Sequence, residues 1–432
     1  MVLLQEAIES FCQKMNHEKK FVAKEFVTMM EPAFQADGYR TPKGKDERPE
    51  ILIIRDDAAG DFVLFSGVIR EIRRLYPTAY ITLVVSPRAI ELAQCCPYVD
   101  AVELNTMKFN AEKFEEIFPH LVKFASERLL THRFDLAFCE RLGIRTPSIL
   151  LEYMSGAKKR IAYSQDRLGP DGKVPRLGWD CLLTTPVPFP KESWHDVDMD
   201  FHVLDSLLQL PVANRSIEIW YTGQDVAYAK EKLAKFLEGK RRIYALVPGA
   251  SIKQKQWPVE NYIQFLQPLL KKEKDLAFVV LGGPGEGELG AQLQEALGSR
   301  LVVNLAGETT FRQAGAVLSH CSMYIGSDTS LMHMAAAVGL PALVVACFPA
   351  SLPRVQSSIP ARFYPYRVPS VMLLPPKPLD DCNDPYRYGC SHTNEMHCIR
   401  QVTPALMSQG YAVLQQRIKA GSKEPVFLST KE

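Results

Sequence analysis

The run Gly326-Ser327-Asp328-Thr329-Ser330-Leu331-Met332-His333 carries the densest chemistry in the chain. It joins the apolar run Met323–Ile325 to a segment with helical spacing from about Thr329. A helix start offers free backbone N–H groups and the positive end of the helix dipole, so it suits an anion, and small residues let a diphosphate come close. His333 follows Thr329 by four residues and returns to the same helix face. The plainer reading makes Asp328 a helix cap and His333 a histidine at the edge of the core. A second segment, Pro248–Pro258, places Lys253 and Lys255 after another apolar run. A lysine there can neutralise a departing diphosphate; the plainer reading is two solvated lysines. Third, Gly60-Asp61 closes the turn DDAAGD, where a carboxylate can accept a proton from a hydroxyl. Capping again competes, and Asp56 and Asp57 are weaker candidates for the same role.

Other clusters need weighing. Gly285-Glu286-Gly287-Glu288-Leu289-Gly290 fits G-x-G-x-x-G, but two glutamates inside it would repel a pyrophosphate, and it does not lie in the first strand–helix turn. Glu286 or Glu288 suits hydrogen bonds to ribose hydroxyls, and Gly283 in the same loop is counted with the donor-binding positions. Asp196-Val197-Asp198-Met199-Asp200 has the spacing of a metal–diphosphate site, yet it opens an apolar-periodic helix after His195, which capping explains. Cys382, Cys390 and Cys398 are evenly spaced in a Pro-rich stretch beside His392 and His397. A structural metal site and free thiols stand level there. The other seven of the ten cysteines are scattered, mostly among apolar residues, and read as reduced, buried thiols.

These groups need a scaffold. The 432 residues suit two domains plus decoration. Residues 1–48 read as a helical appendage and linker: Leu4, Ile8, Phe11 and Met15 form one stripe, and Phe21, Val22, Phe26 and Met30 suggest a second helix. These helices could pack on the body or on another subunit. Strand-like runs then alternate with helical ones through 49–212 and again through 213–350, predicting two doubly wound α/β domains with parallel sheets facing a cleft. Residues 164–193 read as a long loop, and 351–432 as a Pro/Cys-rich loop, a helix from Thr403 to Ile418 and a loose tail. Ligands in such sheets sit beyond the carboxyl ends of the strands, which selects the loops at 55–61, 248–257, 282–288 and 326–333.

A formal net charge of +2 gives no global basic field, so a nucleic-acid partner is not expected. The start, MVLLQEAIESFCQKMN, is not a secretory signal, because Glu6 and Glu9 interrupt a short apolar run. No stretch has the length of a spanning helix. The expected location is the cytoplasm, with any membrane contact peripheral and on the inner face.

The ordered set ILIIRDDAAGDFVLFSGVIREIRRLYP, ITLVV, CCPYVDAV, HDVDMDFHVLDSLL, VPGASIKQKQWPVENY, VVLGGPGE, NLAGETTFRQAGAVLSHCSMYIGSDTSLMHMAAAVGLPALVV and HCIRQVTPAL resembles the family 9 glycosyltransferases, the ADP-heptose:lipopolysaccharide heptosyltransferases. The resemblance runs from about residue 50 to 410. It implies a GT-B fold, catalysis without a metal, and inverting transfer from ADP-heptose to a lipid-linked saccharide of the lipopolysaccharide core. It assigns Asp61 as the catalytic carboxylate, Lys255 as the lysine before Trp-Pro, Ser251 as a small hydroxyl position, and Asp328, Thr329 and His333 as donor-binding. Ser330 stands where the family usually has Gly, and the N-terminal helices are extra. Alternatives of the same architecture are another nucleotide sugar, a protein acceptor, a sugar-nucleotide 2-epimerase, or a nucleotide-sugar binding module without turnover.

Overall fold

The apolar run Ile51–Ile54 lies inside strand β1 (Glu50–Arg55), buried from Ile51 onward. Continuous burial of this kind marks a strand covered on both faces. The computed structural model describes residues 2–18, 21–41, 43–44, 47–107, 114–139, 148–166, 177–190, 194–208, 211–239, 241–351, 359–382, 392 and 394–430. Contacts divide the chain into unit 1 (Met1–Ala58, Gly67–Pro190, Asp198–Arg215) and unit 2 (Ala59–Ser66, Lys191–Val197, Ser216–Glu432).

Unit 1 begins with α1 (Val2–Glu18) and α2 (Ala23–Ala36). After β1 come α3 (Ala59–Leu75), whose stretch to Ser66 groups with unit 2, β2 (Tyr80–Val85), α4 (Ile90–Ala93), β3 (Ala101–Leu104), α5 (Phe114–Phe124), β4 (Leu136–Cys139), α6 (Ser148–Met154), β5 (Lys159–Tyr163), β6 (Thr185–Val187) and α7 (Asp196–Leu208), whose start at Asp196 and Val197 also groups with unit 2. The sheet order is β3-β2-β1-β4-β5-β6, and every pairing is parallel. Strand β6 and a 3-10 turn at Trp179–Leu182 lie where the sequence predicts only a loop. The N-terminal helices belong to this unit's core. Phe26 is fully buried, its ring centroid 4.8 Å from Phe11, 5.6 Å from Phe118 and 5.6 Å from Tyr153. Arg40 fastens the end of the segment, donating to the carbonyls of Gly156 (2.6 Å) and Ala157 (2.8 Å) and pairing with Glu31. Burying one such aromatic contributes about 2–3 kcal/mol, so the pair is structural, not a loose arm.

Unit 2 continues with α8 (Gly223–Glu238), β7 (Arg242–Val247), α9 (Val259–Lys272), β8 (Leu276–Val280), α10 (Gly287–Leu297), β9 (Val302–Asn304), α11 (Phe311–Leu318), β10 (Met323–Ser327), α12 (Ser330–Ala337), β11 (Ala342–Val345), α13 (Ile359–Arg362), β12 (Ser370–Leu373), α14 (Pro404–Ala420) and β13 (Pro425–Leu428). Its parallel sheet runs β13-β12-β11-β10-β7-β8-β9. The segment 351–432, expected as loop, helix and loose tail, thus adds two strands to this sheet. Val426 and Phe427 pair with Val371 and Met372, which settles the tail against β12. Thr403 caps α14 as expected, its hydroxyl accepting the Leu406 N–H at 3.2 Å. No described helix is long and apolar enough to cross a membrane.

Candidate functional site

Strand order in unit 2 reverses between β7 and β10, which are paired neighbours. Their carboxyl ends therefore deliver the loop after β7 and the turn after β10 to one place, the position at which doubly wound sheets bind ligands. The two strands need Gly326, because a Cβ there would lie 2.3 Å from the Val247 carbonyl oxygen. Ser327 ties the turns together, its Oγ donating to the Pro248 carbonyl at 3.2 Å.

On the β7 side, Lys255 ends a short 3-10 turn, Lys253–Lys255. Trp257 holds that turn down: it is buried, and its indole N–H donates to the Val402 carbonyl at 2.7 Å. Lys255 Nζ reaches Asp328 Oδ2 at 2.8 Å and the Asp328 carbonyl at 3.3 Å, with its side chain only 12% exposed. Lys253 is exposed. Asp328 is not the cap of α12. Thr329 holds that position, yet its side chain makes no cap bond; its Oγ1 lies 3.5 Å from the Tyr324 hydroxyl. Thr329 thus leaves the N–H groups at the start of α12 without a side-chain cap bond of its own, where the helix dipole favours negative charge.

His333, in the second turn of α12, is buried, and its Nδ1 has no hydrogen-bond partner among the described residues. Burial lowers its pKa; the Asp328 and Asp61 carboxylates act the other way, and Lys255 adds to the lowering. The ring is neutral at neutral pH and can donate or accept toward a ligand. Asp61 thus shares its surroundings with Asp328 and Lys255. It is the third residue of α3, whose cap position is Ala58, so it does not cap that helix. The sequence assigns Asp61 to the first domain, but Ala59–Ser66 packs with unit 2. The reasons are local. A Cβ on Gly60 would stand 3.1 Å from His333 Cδ2 and 3.2 Å from Ser330 Oγ, so glycine is what lets the two helix starts approach. Phe62 meets the Trp220 ring edge-on, and Ser66 Oγ accepts the Glu218 N–H at 2.8 Å. Ser330 opens α12 at this contact, half-buried.

The remaining candidates separate. Glu286 turns inward: it accepts the Gly283 N–H at 2.7 Å and packs so closely on Gly249 and Gly282 that a Cβ on Gly249 would meet its carboxyl carbon at 2.1 Å. Burial raises its pKa. Glu288 points away, exposed and bonded to Gln292 one helical turn on. It does not join the cluster, because two residues along a helix start face nearly opposite sides. Ser251 is exposed in its loop. Gly290, the last glycine of the G-x-G-x-x-G match, serves packing, since a Cβ would stand 2.0 Å from Asn304 Oδ1.

Among the described residues the aspartates after His195 form no metal group. Asp196 pairs with Arg362, Asp198 with Arg215 and Asp200 with Arg55. The first-turn N–H of Val197 goes to His195 Nδ1 at 3.1 Å, so a histidine rather than an aspartate caps α7. His195 Nε2 donates to the Tyr364 carbonyl at 2.8 Å. Burial lowers this imidazole's pKa to about 3, against the Tyr364 bond, with the charges of His333 and Arg362 adding to the fall. Its role had no signal beyond the residue type. Gly60 and Gly249 had one, each being a glycine inside a candidate loop. At the late cysteines, Cys382 and Cys398 come together with His397; Cys390 lies outside the described residues.

Residues 155–356 match the profile of the family described as Glycosyltransferase family 9 (heptosyltransferase). The chain is similar to lipooligosaccharide heptosyltransferase 2 of Haemophilus ducreyi, at 24% identity over 307 residues covering 69% of this chain and 83% of that one. It is similar to lipopolysaccharide heptosyltransferase 2 of Escherichia coli, at 23% over 297 residues covering 68% and 81%. Among solved structures, a family 9 glycosyl transferase from Veillonella parvula aligns with a TM-score of 0.63 and 16% identity over 85% of this chain and 97% of that one. The E. coli ADP-heptose lps heptosyltransferase II aligns with a TM-score of 0.59 and 21% identity over 85% and 99%. The shared fold is GT-B, two α/β units each built on a parallel sheet.

Proposed function

We propose that this chain, a glycosyltransferase of the family 9, heptosyltransferase-like kind, moves a heptose from ADP-heptose to a hydroxyl of a lipopolysaccharide-core-like saccharide with inversion. The observation that carries the reading is the Lys255–Asp328 pair beside an uncapped helix start and a neutral His333, with Asp61 in the same surroundings. Lys255 and the N–H groups opening α12 hold the donor diphosphate. Asp328 keeps the ammonium aimed there. Asp61 takes the acceptor hydroxyl proton while that oxygen bonds to the anomeric carbon. The bond from that carbon to the diphosphate oxygen breaks, ADP leaves, and its charge falls on Lys255 and the helix start, so no divalent ion has to bridge the phosphates. His333 fixes the donor, and Glu286 accepts from a ribose hydroxyl. The names of the relatives, heptosyltransferases of lipooligosaccharide and lipopolysaccharide, support the donor and acceptor classes. On this reading the protein works where those substrates are made, on the cytoplasmic side.

The test is ADP release and acceptor glycosylation with ADP-heptose and a heptose-truncated core, beside other nucleotide sugars and an acceptor-free control. Transfer confined to ADP-heptose supports the reading. Turnover with a different sugar nucleotide, or product formed without acceptor, replaces it.

A further inference from the structure

Ahead of α14, the described residues around 381–382, 392 and 397–398 gather a second set of donors. Cys382, His397 and Cys398 bring two sulfurs and an imidazole nitrogen within 4.8 Å of one another. Cys398 Sγ lies 3.4 Å from His397 Nδ1. A sulfur at about 2.3 Å and a nitrogen at about 2.0 Å from a tetrahedral ion stand roughly 3.5 Å apart, so this edge is close to the length a bound ion needs. The other ring nitrogen, Nε2, meets Asp381 Oδ1 at 2.8 Å. A carboxylate there holds the proton on Nε2 and leaves the Nδ1 lone pair directed at the sulfur, the arrangement by which outer carboxylates orient metal-binding histidines. Cys398 and His397 are buried, and the His392 ring lies flat over His397 at 3.9 Å with 4° between planes. Residues 374–382 and 394–397 lie in no strand or helix, so no ladder holds these donors together there, whereas a bound ion supplies that energy.

We propose that Cys382, His397 and Cys398 bind a thiophilic divalent ion of the zinc type, with two thiolates balancing its charge and Asp381 bonded behind the histidine. Asp381, His392 and His397 also converge, but that set shares His397 and offers an exposed carboxylate in place of thiolates, which suits a hard ion less strongly held. The ion is structural. Cys398 opens the 3-10 turn Cys398–Gln401, and the next residue, Val402, supplies the carbonyl that holds Trp257 at 2.7 Å. The bound ion therefore fixes the loop that buttresses the turn carrying Lys255.

The experiment reads metal directly and does not depend on the identity of the sugar. Full-length protein, expressed with zinc and purified under reducing conditions, is analysed by elemental mass spectrometry, and about one equivalent per chain is expected. Cys382→Ser with Cys398→Ser should lose it. As a check that needs no variant, wild-type protein stripped and reloaded with Co2+ should show thiolate charge-transfer bands and the intense visible bands of a tetrahedral site. A strong chelator should lower the unfolding midpoint of the wild type and leave that of the double variant unchanged. Metal-free wild type with no Co2+ spectrum overturns the proposal, as does undiminished metal in the double variant or a Cys382–Cys398 disulfide in the protein under reducing conditions.

Discussion

The turn after β1 and the turn after β10 are built from the same kinds of residue: a strand end, small residues, an aspartate, and a helix start with no side-chain cap. Their acids are used differently. In the first, Asp56 is buried and takes the Ser148 hydroxyl at 2.8 Å on one oxygen and the Asn105 amide at 3.0 Å on the other, while Asp57 pairs with Arg55. Both carboxylates are absorbed into unit 1. Only Asp61, inside the helix, is set beside His333 in unit 2. In the second turn Asp328 is equally buried, but its partner is the flexible ammonium of Lys255. A carboxylate held by fixed donors, whether a hydroxyl and an amide or a buried guanidinium, stabilises a fold. One paired with a mobile cation keeps that cation poised for a different anion, which a ligand can supply.

Breaking this contrast at its active end should have the largest effect. Asp61→Ala is expected to lower transfer at least a hundredfold, and up to about ten-thousandfold, while ADP affinity by calorimetry stays within a few-fold. Retained transfer would move the base elsewhere. Lys255→Met should lower kcat on the order of a hundredfold. It should also cost stability, because it strands the buried Asp328 charge. Adding Asp328→Asn should restore the unfolding midpoint without restoring kcat. If stability and rate recover together, the lysine is a scaffold residue. At the other turn, Asp56→Ala should cost roughly 1–3 kcal/mol in denaturant unfolding, and active enzyme should keep its ordinary kcat.

Acid sharpens the comparison by acting on unit 2 through its histidines. The folded pKa of His195, about 3, lies below its unfolded value, and that of His333 is lowered too. The unfolded chain takes up these protons first, so their contribution is complete above pH about 6.5 and is lost as pH falls from there toward 3. The unfolding midpoint should decline across that window, less steeply in His195→Gln; an unchanged slope removes His195 from the account. The smallest change is Gly60→Ala, whose methyl would press on Ser330 and His333. It should raise the donor KM several-fold with near-normal folding.

Strands buried on both faces write their location as unbroken apolar runs, so β1, β2, β7, β8 and β11 were legible. Strand β5 was not, because it opens with Lys159-Arg160 and reads as surface. Arg160 is nevertheless buried, its guanidinium donating to the carbonyls of Leu182 and Ala157. Strands β12 and β13 are four residues each, amid prolines and charges, and owe their conformation to the sheet edge they extend. At the site, Lys255, Asp328 and His333 could be read from their distance past strand ends. The different fates of Asp56 and Asp61, or of Glu286 and Glu288, could not. Each pair has the same chemistry, and only the packing of distant residues distinguishes its members.

The ring of His195 has both nitrogens engaged, one accepting from Val197 and one donating to Tyr364. Its single exchangeable hydrogen is enclosed and hydrogen-bonded, so it should exchange with water only when the chain around it opens. In a nuclear magnetic resonance spectrum such a hydrogen stands apart from the amide envelope. It makes a native reporter, needing no label beyond nitrogen, of whether unit 2 is intact around it.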